Sequence, residues 1–402
     1  MGTSEDLNLG ETIEYYRKAR GLTQQQFGEL CGRTASWAWR VENGYPVDSI
    51  RQLRIIADVL KLRNLTQLIG DNLLPLADEG PEHDSVPALR RALHTPTSIQ
   101  PAHETDLATV AGDIEEAWSI YNGRTIRYEI LAPTLPRLLG QAYQALRSAA
   151  EADRAAAARQ CISLLHLVQI YLRRIGDLTL SELAADRAMM LADEIGDPAG
   201  IAASAWNVAC VLTSSGHVEE SRDLALSTIS RYPVDADSRP EHVSAYGALH
   251  LQAAVASARA GEGPTAWNLL RAAERLAARL PDEDDAWHTA FCATNVAMHA
   301  VHLAADEGAH EEALRLADGV VDNPSLPLER STRYLIEVMN SLRLVDDDHG
   351  ALFIGQKIMA LSPEEIKYHP LVRSTVAHLL RNERPLTRVE VRKLAAHVGV
   401  LA

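Results

Sequence analysis

Five turn residues, Gly176, Gly216, Gly261, Gly308 and Asp346, recur at intervals of 40, 45, 47 and 38 residues. Each lies between two stretches of helical periodicity with small residues at the positions where the two would cross. From Ala202 to Pro233, Val208, Ala209 and Leu212 precede Gly216-His217, and Ser221, Ala225 and Pro233 follow. Gly247–Ala273 repeats this with Ala254, Gly261, Ala266 and Leu270, and Thr294–Val320 with Gly308, Ala313 and Ala317. Thr332–Pro363 carries Met339, Leu342, Asp346, Ala351 and Pro363; an earlier copy around Gly176-Asp177 carries Val168, Leu172, Ala184 and Ala188. Small residues let paired helices approach, and each pair needs a neighbour to bury its outer face. The pattern predicts an all-α fold in which residues 106–402 form an α-solenoid.

The composition agrees. Hydrophobic residues make up 47% and charged residues 23%, with only three Phe. The abundant Ala and Leu lose little on entering a helix. Glu5, Asp6, Glu11 and Glu14 interrupt the start, where a signal peptide needs an apolar run, and no long uncharged apolar stretch follows. The expectation is a cytoplasmic chain with no membrane partner. Cys31, Cys161, Cys210 and Cys292 are far apart, make no C-x-x-C, and read as buried thiols in a reducing compartment. Charge is uneven. Residues 1–70 hold nine Lys/Arg against eight Asp/Glu, a balance of +1 in a chain of net charge -15, so the remainder carries -16. A near-neutral head on an acidic body fits a DNA-contacting domain whose body the phosphates repel.

That head, residues 9–70, reads as about five short helices. The first, Leu9 to Ala19, puts Leu9, Ile13 and Tyr16 on one face and stops at Gly21. Thr23 caps Gln24–Cys31, with Gln26 completing a capping box. Gly32-Arg33 is the turn, Thr34 caps Ala35–Glu42, and Asn43-Gly44 ends it. Pro46 and Asp48 open a fourth helix with Ile50, Leu53, Ile56, Ala57 and Leu60 at core spacing, and a last turn follows near Leu65–Ile69. Pro75, Gly80, Pro81, Pro87, Pro96 and Pro101 then mark a linker with one short helix over Ala88–Leu93. The expected domains are a DNA-binding head at 1–71, a linker at 72–105 and the repeat body at 106–402.

The run Arg17-x-x-Arg20-Gly21-Leu22-Thr23-Gln24-Gln25-Gln26-Phe27, with Val41-Glu42-Asn43-Gly44 beyond it, resembles the Xre-type helix-turn-helix of lambdoid phage repressors over about residues 8–70. The resemblance implies that Arg17 pairs with Glu42, and that Gln24 and the Asn43 region contact backbone phosphate. It places Ala35, Ser36, Trp37 and Arg40 where this family reads bases. Two indoles in one short helix depart from the family pattern. The stretches Ala184-Ala185-Asp186-Arg187-Ala188, Thr294-Asn295-Val296-Ala297-Met298-His299 and Ser362-Pro363-Glu364-Glu365…His369-Pro370-Leu371-Val372-Arg373 look like the tetratricopeptide sensor domains fused to such heads in actinobacterial regulators. The turn spacing exceeds that repeat's 34-residue period. A more distant resemblance is to the peptide-pheromone regulators of Gram-positive bacteria, which implies a peptide in the concave groove.

Arg40 has the fork that pairs with guanine O6/N7, worth about 1–3 kcal/mol of discrimination. Ser36 can donate to a base or phosphate, Ala35 can touch a thymine methyl, and Thr34 and Asn43 bracket the helix. Trp37 is expected to be the exposed indole and Trp39 the core one. Dimers of this class span half-sites one turn apart, so the expected partner is double-stranded DNA with an inverted-repeat operator, bound by a homodimer. In the body, Asn207, Asn295 and Asn340 offer the amide donor and acceptor that an extended peptide needs, and Glu337 lies beside Asn340. Local capping is the competing role for these amides. His299 and His302, with Glu307 nearby, lack a further spaced ligand for a metal site. No phosphate-binding Gly loop, nucleophile elbow or H-E-x-x-H is present, so neither enzyme chemistry nor a cofactor is expected. The expected function is a transcription regulator whose body binds a peptide or small-molecule signal. The alternative is a body that docks a partner protein, with no diffusible ligand.

Overall fold

The computed structural model describes residues 9–43, 47, 50–62, 68, 83–95, 106–280, 286–321 and 323–400. It divides into two compact units, Met1–Glu82 and His83–Ala402. Every regular element among the described residues is helical.

The first unit contains α1 (Leu9–Ala19), α2 (Gln24–Leu30), α3 (Ala35–Glu42) and α4 (Ile50–Val59). The Thr23 hydroxyl accepts from the Gln26 amide at 3.1 Å while the Thr23 amide donates to Gln26 Oε1 at 2.9 Å, so the box at the start of α2 is reciprocal. Thr34 caps α3 by accepting from the Trp37 amide at 3.2 Å. Between α2 and α3, Gly32 takes a left-handed φ of 66° that a side chain would resist. Gly28 is required by proximity, since a Cβ there would fall 2.5 Å from the Thr34 carbonyl oxygen. Ile13, Phe27, Ala38, Val41, Ile56, Leu60 and Leu68 form the core. The stop at Gly44, the start at Pro46 and Asp48, and the turn near 65–69 apart from Leu68 lie outside the described residues.

The second unit opens with α5 (Val86–His94), α6 (Leu107–Gly123), α7 (Tyr128–Leu131) and α8 (Thr134–Ser148). Part of the stretch read as linker therefore differs from expectation. Val86, Leu89 and Leu93 of α5 are buried in the body core, because their i, i+3, i+7 spacing makes an apolar face. The Tyr171 hydroxyl, donating to Ser85 Oγ at 3.0 Å, secures the start of α5. The remainder of 72–105 lies outside the described residues.

Five helix pairs follow: α9 (Arg154–Arg174) with α10 (Leu178–Ile195), α11 (Pro198–Ser214) with α12 (Val218–Arg231), α13 (Pro240–Arg259) with α14 (Gly263–Ala277), α15 (Ala293–Asp306) with α16 (His310–Ala317), and α17 (Leu328–Leu344) with α18 (Asp348–Leu361). Their turns are the five residues that recur in the sequence. Gly176, Gly216, Gly261 and Gly308 have φ of 93°, 85°, 87° and 77°, and Asp346 takes the same left-handed conformation at 63°. Five residues after each turn stands a small side chain with no exposure: Ser181, Ser221, Ala266, Ala313 and Ala351. There the second helix presses on the first. The two serines also donate across the crossing, Ser181 to the Gln169 carbonyl at 2.9 Å and Ser221 to the Ala209 carbonyl at 2.8 Å. A cap of α19 (Glu365–Tyr368), α20 (Pro370–Arg381) and α21 (Arg388–Val398) ends the chain of pairs.

The last helices return to the first. Fully buried Arg127, just before α7, pairs with Glu365. Glu364 accepts from the backbone amides of Arg127, Tyr128 and Glu129 at 2.6, 3.0 and 3.1 Å. Arg174 at the end of α9 pairs with Glu329 on α17. These ion pairs close the body across more than 150 residues of chain.

No Cβ clash awaits at Gly216, so Gly216→Ala isolates the backbone cost of the left-handed turn. Urea denaturation is expected to show a loss of about 1–2 kcal/mol; an unchanged midpoint would mean the turn tolerates a side chain there.

Candidate nucleic-acid interface and inner face

One face of α3 is locked and the other is open. Arg17 reaches from α1 with its guanidinium fork onto Glu42, Nη2 to Oε2 at 3.0 Å beside a shorter Nε contact to Oε1. Its Nη1 donates to the Leu22 carbonyl at 2.6 Å. Both residues are 7% exposed. Gln24 adds a bond from Nε2 to Glu42 Oε2 at 2.8 Å. The Arg17–Glu42 pair is the one that the resemblance implied; the Gln24 bond adds α2, so the carboxylate ties α1, α2 and α3 together. Gly10 lets α1 come this close, since a Cβ there would sit 2.5 Å from the Glu42 carbonyl oxygen.

With Ala38, Val41 and Glu42 facing inward, the N-terminal edge of α3 faces solvent. Thr34, Ala35 and Ser36 are exposed and Arg40 is half-buried. Asn43 is exposed, its Nδ2 donating to the Trp39 carbonyl at 2.8 Å. Gln24 is half-buried, with its amide already turned toward Glu42. The two indoles are the reverse of the expectation. Trp37 packs into the head with its ring stacked on Phe27, centroids 6.0 Å apart, while Trp39 is 56% exposed. One residue before buried Ala38, Trp37 falls beside α2, whereas the 100° step to Trp39 carries that ring to the open side. The residues brought together on the open edge are Thr34, Ala35, Ser36, Trp39, Arg40 and Asn43.

In the body, α9, α11, α13, α15 and α17 pack side by side and form the inner wall of the stack. The four ligand candidates all lie on three of these helices but do not converge. Asn295 Nδ2 donates to the Ala290 carbonyl at 2.8 Å, a local fastening. Asn340 Oδ1 accepts from Arg343 at 2.9 Å. Glu337 faces His302 Nδ1 at 3.3 Å; burial opposes its charge, but His302 and Arg333 hold its carboxyl down at about 2. Asn207 differs. It is 1% exposed, its Nδ2 donates to the Ala203 carbonyl at 3.0 Å, and its Oδ1 is buried with no hydrogen-bond partner among the described residues. His299 binds the Asn295 carbonyl through Nδ1 at 2.8 Å, and Glu307 accepts from the Trp267 indole at 3.1 Å.

Two features of this wall were not singled out in the sequence. The first is the segment joining α14 to α15, which lies against the first helices. Trp287 packs on the His166 ring, 5.9 Å between centroids, and His288 stacks on Trp118 at 4.0 Å. Thr289 shares a hydrogen bond with Ser244 at 2.9 Å, and Phe291 fills the space that a Cβ at Gly247 would need. Trp287, His288 and Ala290 all have left-handed φ, at 59°, 52° and 54°, a strained backbone sustained by this packing. The second is a group of arginines, Arg173 and Arg174 ending α9 and Arg330 and Arg333 one turn apart on α17. The i, i+3 pair is the signal that sequence reading could have used.

A protein-family model described as a helix-turn-helix domain matches residues 8–65. No curated protein matches the chain. A solved structure of a Bacillus thuringiensis protein, "PlcR in complex with the peptide PapR7 and DNA", is 13% identical, covering 88% of this chain and 96% of that one at a TM-score of 0.30. No helix among the described residues is long and apolar enough to cross a membrane.

Replacing Glu42 by Gln would leave the Arg17 charge buried without its carboxylate. Thermal or urea unfolding followed at the near-UV signal of the Phe27–Trp37 stack is expected to show a loss of about 3 kcal/mol in the head. A loss below about 1 kcal/mol would show that the pair does not hold α1 to α3. By its sequence match, residues 8–65 of this chain are a helix-turn-helix domain.

Proposed function

We propose that this chain is a sequence-specific, DNA-binding transcription regulator that acts as a homodimer and takes a peptide or small-molecule signal on the inner face of its helical body. The observation that carries the DNA reading is the exposed edge of α3, which a buried ion pair orients from behind. A helix so held can enter the major groove with its N-terminal residues toward base edges. Arg40 supplies the fork for guanine, Ser36 and Ala35 short contacts near the helix start, and Asn43 a bond to phosphate, while Gln24 is held on Glu42. In this reading the exposed Trp39 ring packs on sugar or on a thymine methyl.

The inner wall supports the sensing half of this reading. The unpartnered buried amide oxygen of Asn207 and the guanidinium of Arg173, which joins no ion pair among the described residues, are costly in a resting fold and useful to a ligand. A ligand that prefers one curvature of the body would shift the population of head spacings that match two half-sites.

Selection of an operator from a random DNA pool supplies the test sequence. Arg40→Ala is expected to weaken operator binding roughly tenfold or more while changing non-specific binding little. Equal losses on both DNAs would reject base reading by Arg40. Trp39→Ala is expected to lower DNA affinity with the melting temperature intact, and Trp37→Ala to lower the melting temperature itself. The opposite pattern would mean that the DNA-facing side of α3 is misassigned.

A further inference from the structure

Four arginines on the inner wall, Arg173, Arg174, Arg330 and Arg333, share two glutamates, Glu329 and Glu337. Glu329 pairs with Arg174 and lies 3.5 Å from Arg330 Nε. Glu337 is divided between His302 and Arg333. Arg333 donates to the ring of His369, which burial and the neighbouring Arg333 keep neutral. Arg173 has no such partner. Its Nε is buried with no hydrogen bond, and it joins no ion pair among the described residues. Burial, and then Arg174 beside it, press its guanidinium down to about 10, so it still carries its charge near neutral pH. The wall therefore holds an excess of two positive charges inside a chain of net charge -15.

Three of these cations share one place, and Arg333 stands one turn beyond Arg330 on α17. Arg173, Arg174 and Arg330 all lie within electrostatic reach of the Cys210 thiol on α11. One turn earlier on α11 stands Asn207, with its unused amide oxygen, and Arg330 lies over the Trp206 ring at 5.4 Å from the centroid. A half-buried cation with no carboxylate beside it lacks the compensation that a bound anion would supply. Guanidinium forks match the planar oxygens of a carboxylate or the face of a phosphate. The segment 287–291 fills the neighbouring part of the wall against α6, α9, α11 and α13.

We propose that this wall is an oxyanion site: a carboxylate or phosphate group of the ligand sits among Arg173, Arg330 and Arg333, with the Trp206 ring alongside and Asn207 Oδ1 accepting a hydrogen bond from the ligand. The inference rests on the sensing reading of the body and names the chemistry of the signal.

The test is a thermal-shift and calorimetric series on the full chain at one ionic strength near neutral pH. The probes are citrate, glucose 6-phosphate, and a pool of short peptides with free C-termini beside the same pool amidated. At least one oxyanion probe is expected to raise the melting temperature, with the responding arm separating carboxylate from phosphate and free acid from peptide terminus. Combining Arg173→Gln with Arg330→Gln is expected to abolish the shift and weaken Kd roughly tenfold or more, and Arg173→Lys to weaken it less. Without ligand, Arg173→Gln is expected to melt no lower than the wild type, because it removes an unpaired cation. The proposal is overturned if no oxyanion probe shifts the wild type, if the shift survives in the double variant, or if ligand-free Arg173→Gln melts several degrees lower. If amidated peptides stabilise as well as free ones, sensing stands and the oxyanion site falls. If neither these probes nor a total small-molecule extract shifts melting, the sensing reading itself fails.

Discussion

The body depends on close approach at one point in each helix pair. Five residues beyond every left-handed turn, a serine or alanine with no exposed surface lets the second helix press onto the first. A larger side chain there would push the pair apart, and the neighbouring pairs would lose the surface against which they bury their own outer faces. The turn and the crossing are one device. The positive φ sets the direction in which the second helix leaves, and the small residue sets how near it lies. Where the turn residue is Asp346 rather than glycine, the fold carries some backbone strain and keeps the same geometry.

Because the crossings occupy one side of each first helix, its other side is left to the inner wall. That wall is finished in two ways. Toward α6, the chain covers it with its own aromatic segment, Trp287 to Phe291, at the expense of three left-handed residues. Toward α17 it is lined with charge, most of it matched in pairs that also bridge distant repeats, such as Arg127 with Glu365 and Arg174 with Glu329. The same pairs that close the body thus border Arg173, which joins no ion pair among the described residues. Any charge introduced there would act directly on the ion pairs that join the first and last helices of the body.

How much of this was legible in the sequence follows from how local each interaction is. The bounds of α3, the Thr23–Gln26 box and the five turns depend on neighbours within a few residues, and the sequence carries them openly. The Arg17–Glu42 pair spans 25 positions and was reached only through resemblance. Which indole of α3 faces out depends on where α2 lies, a tertiary fact; composition made the two equivalent. Among the polar candidates of the wall, Asn295 and Asn340 proved to serve local bonds, while the arginines escaped notice. A solvated arginine and a buried unpaired one look identical in sequence, since only the fold decides which cations share a carboxylate.

The head and the body solve opposite problems with the same kind of group. In the head, one buried carboxylate is fully satisfied by Arg17 and Gln24, so three helices act as a rigid unit and the edge of α3 is presented without adjustment. In the body, two carboxylates are spread over four arginines and a histidine, so no arrangement satisfies every charge. Rigid presentation suits the reading of a fixed lattice such as a DNA groove. Incomplete satisfaction suits a surface whose lowest-energy state includes a further anion. That contrast in electrostatic closure, more than the shared helical fold, is what separates the two units physically.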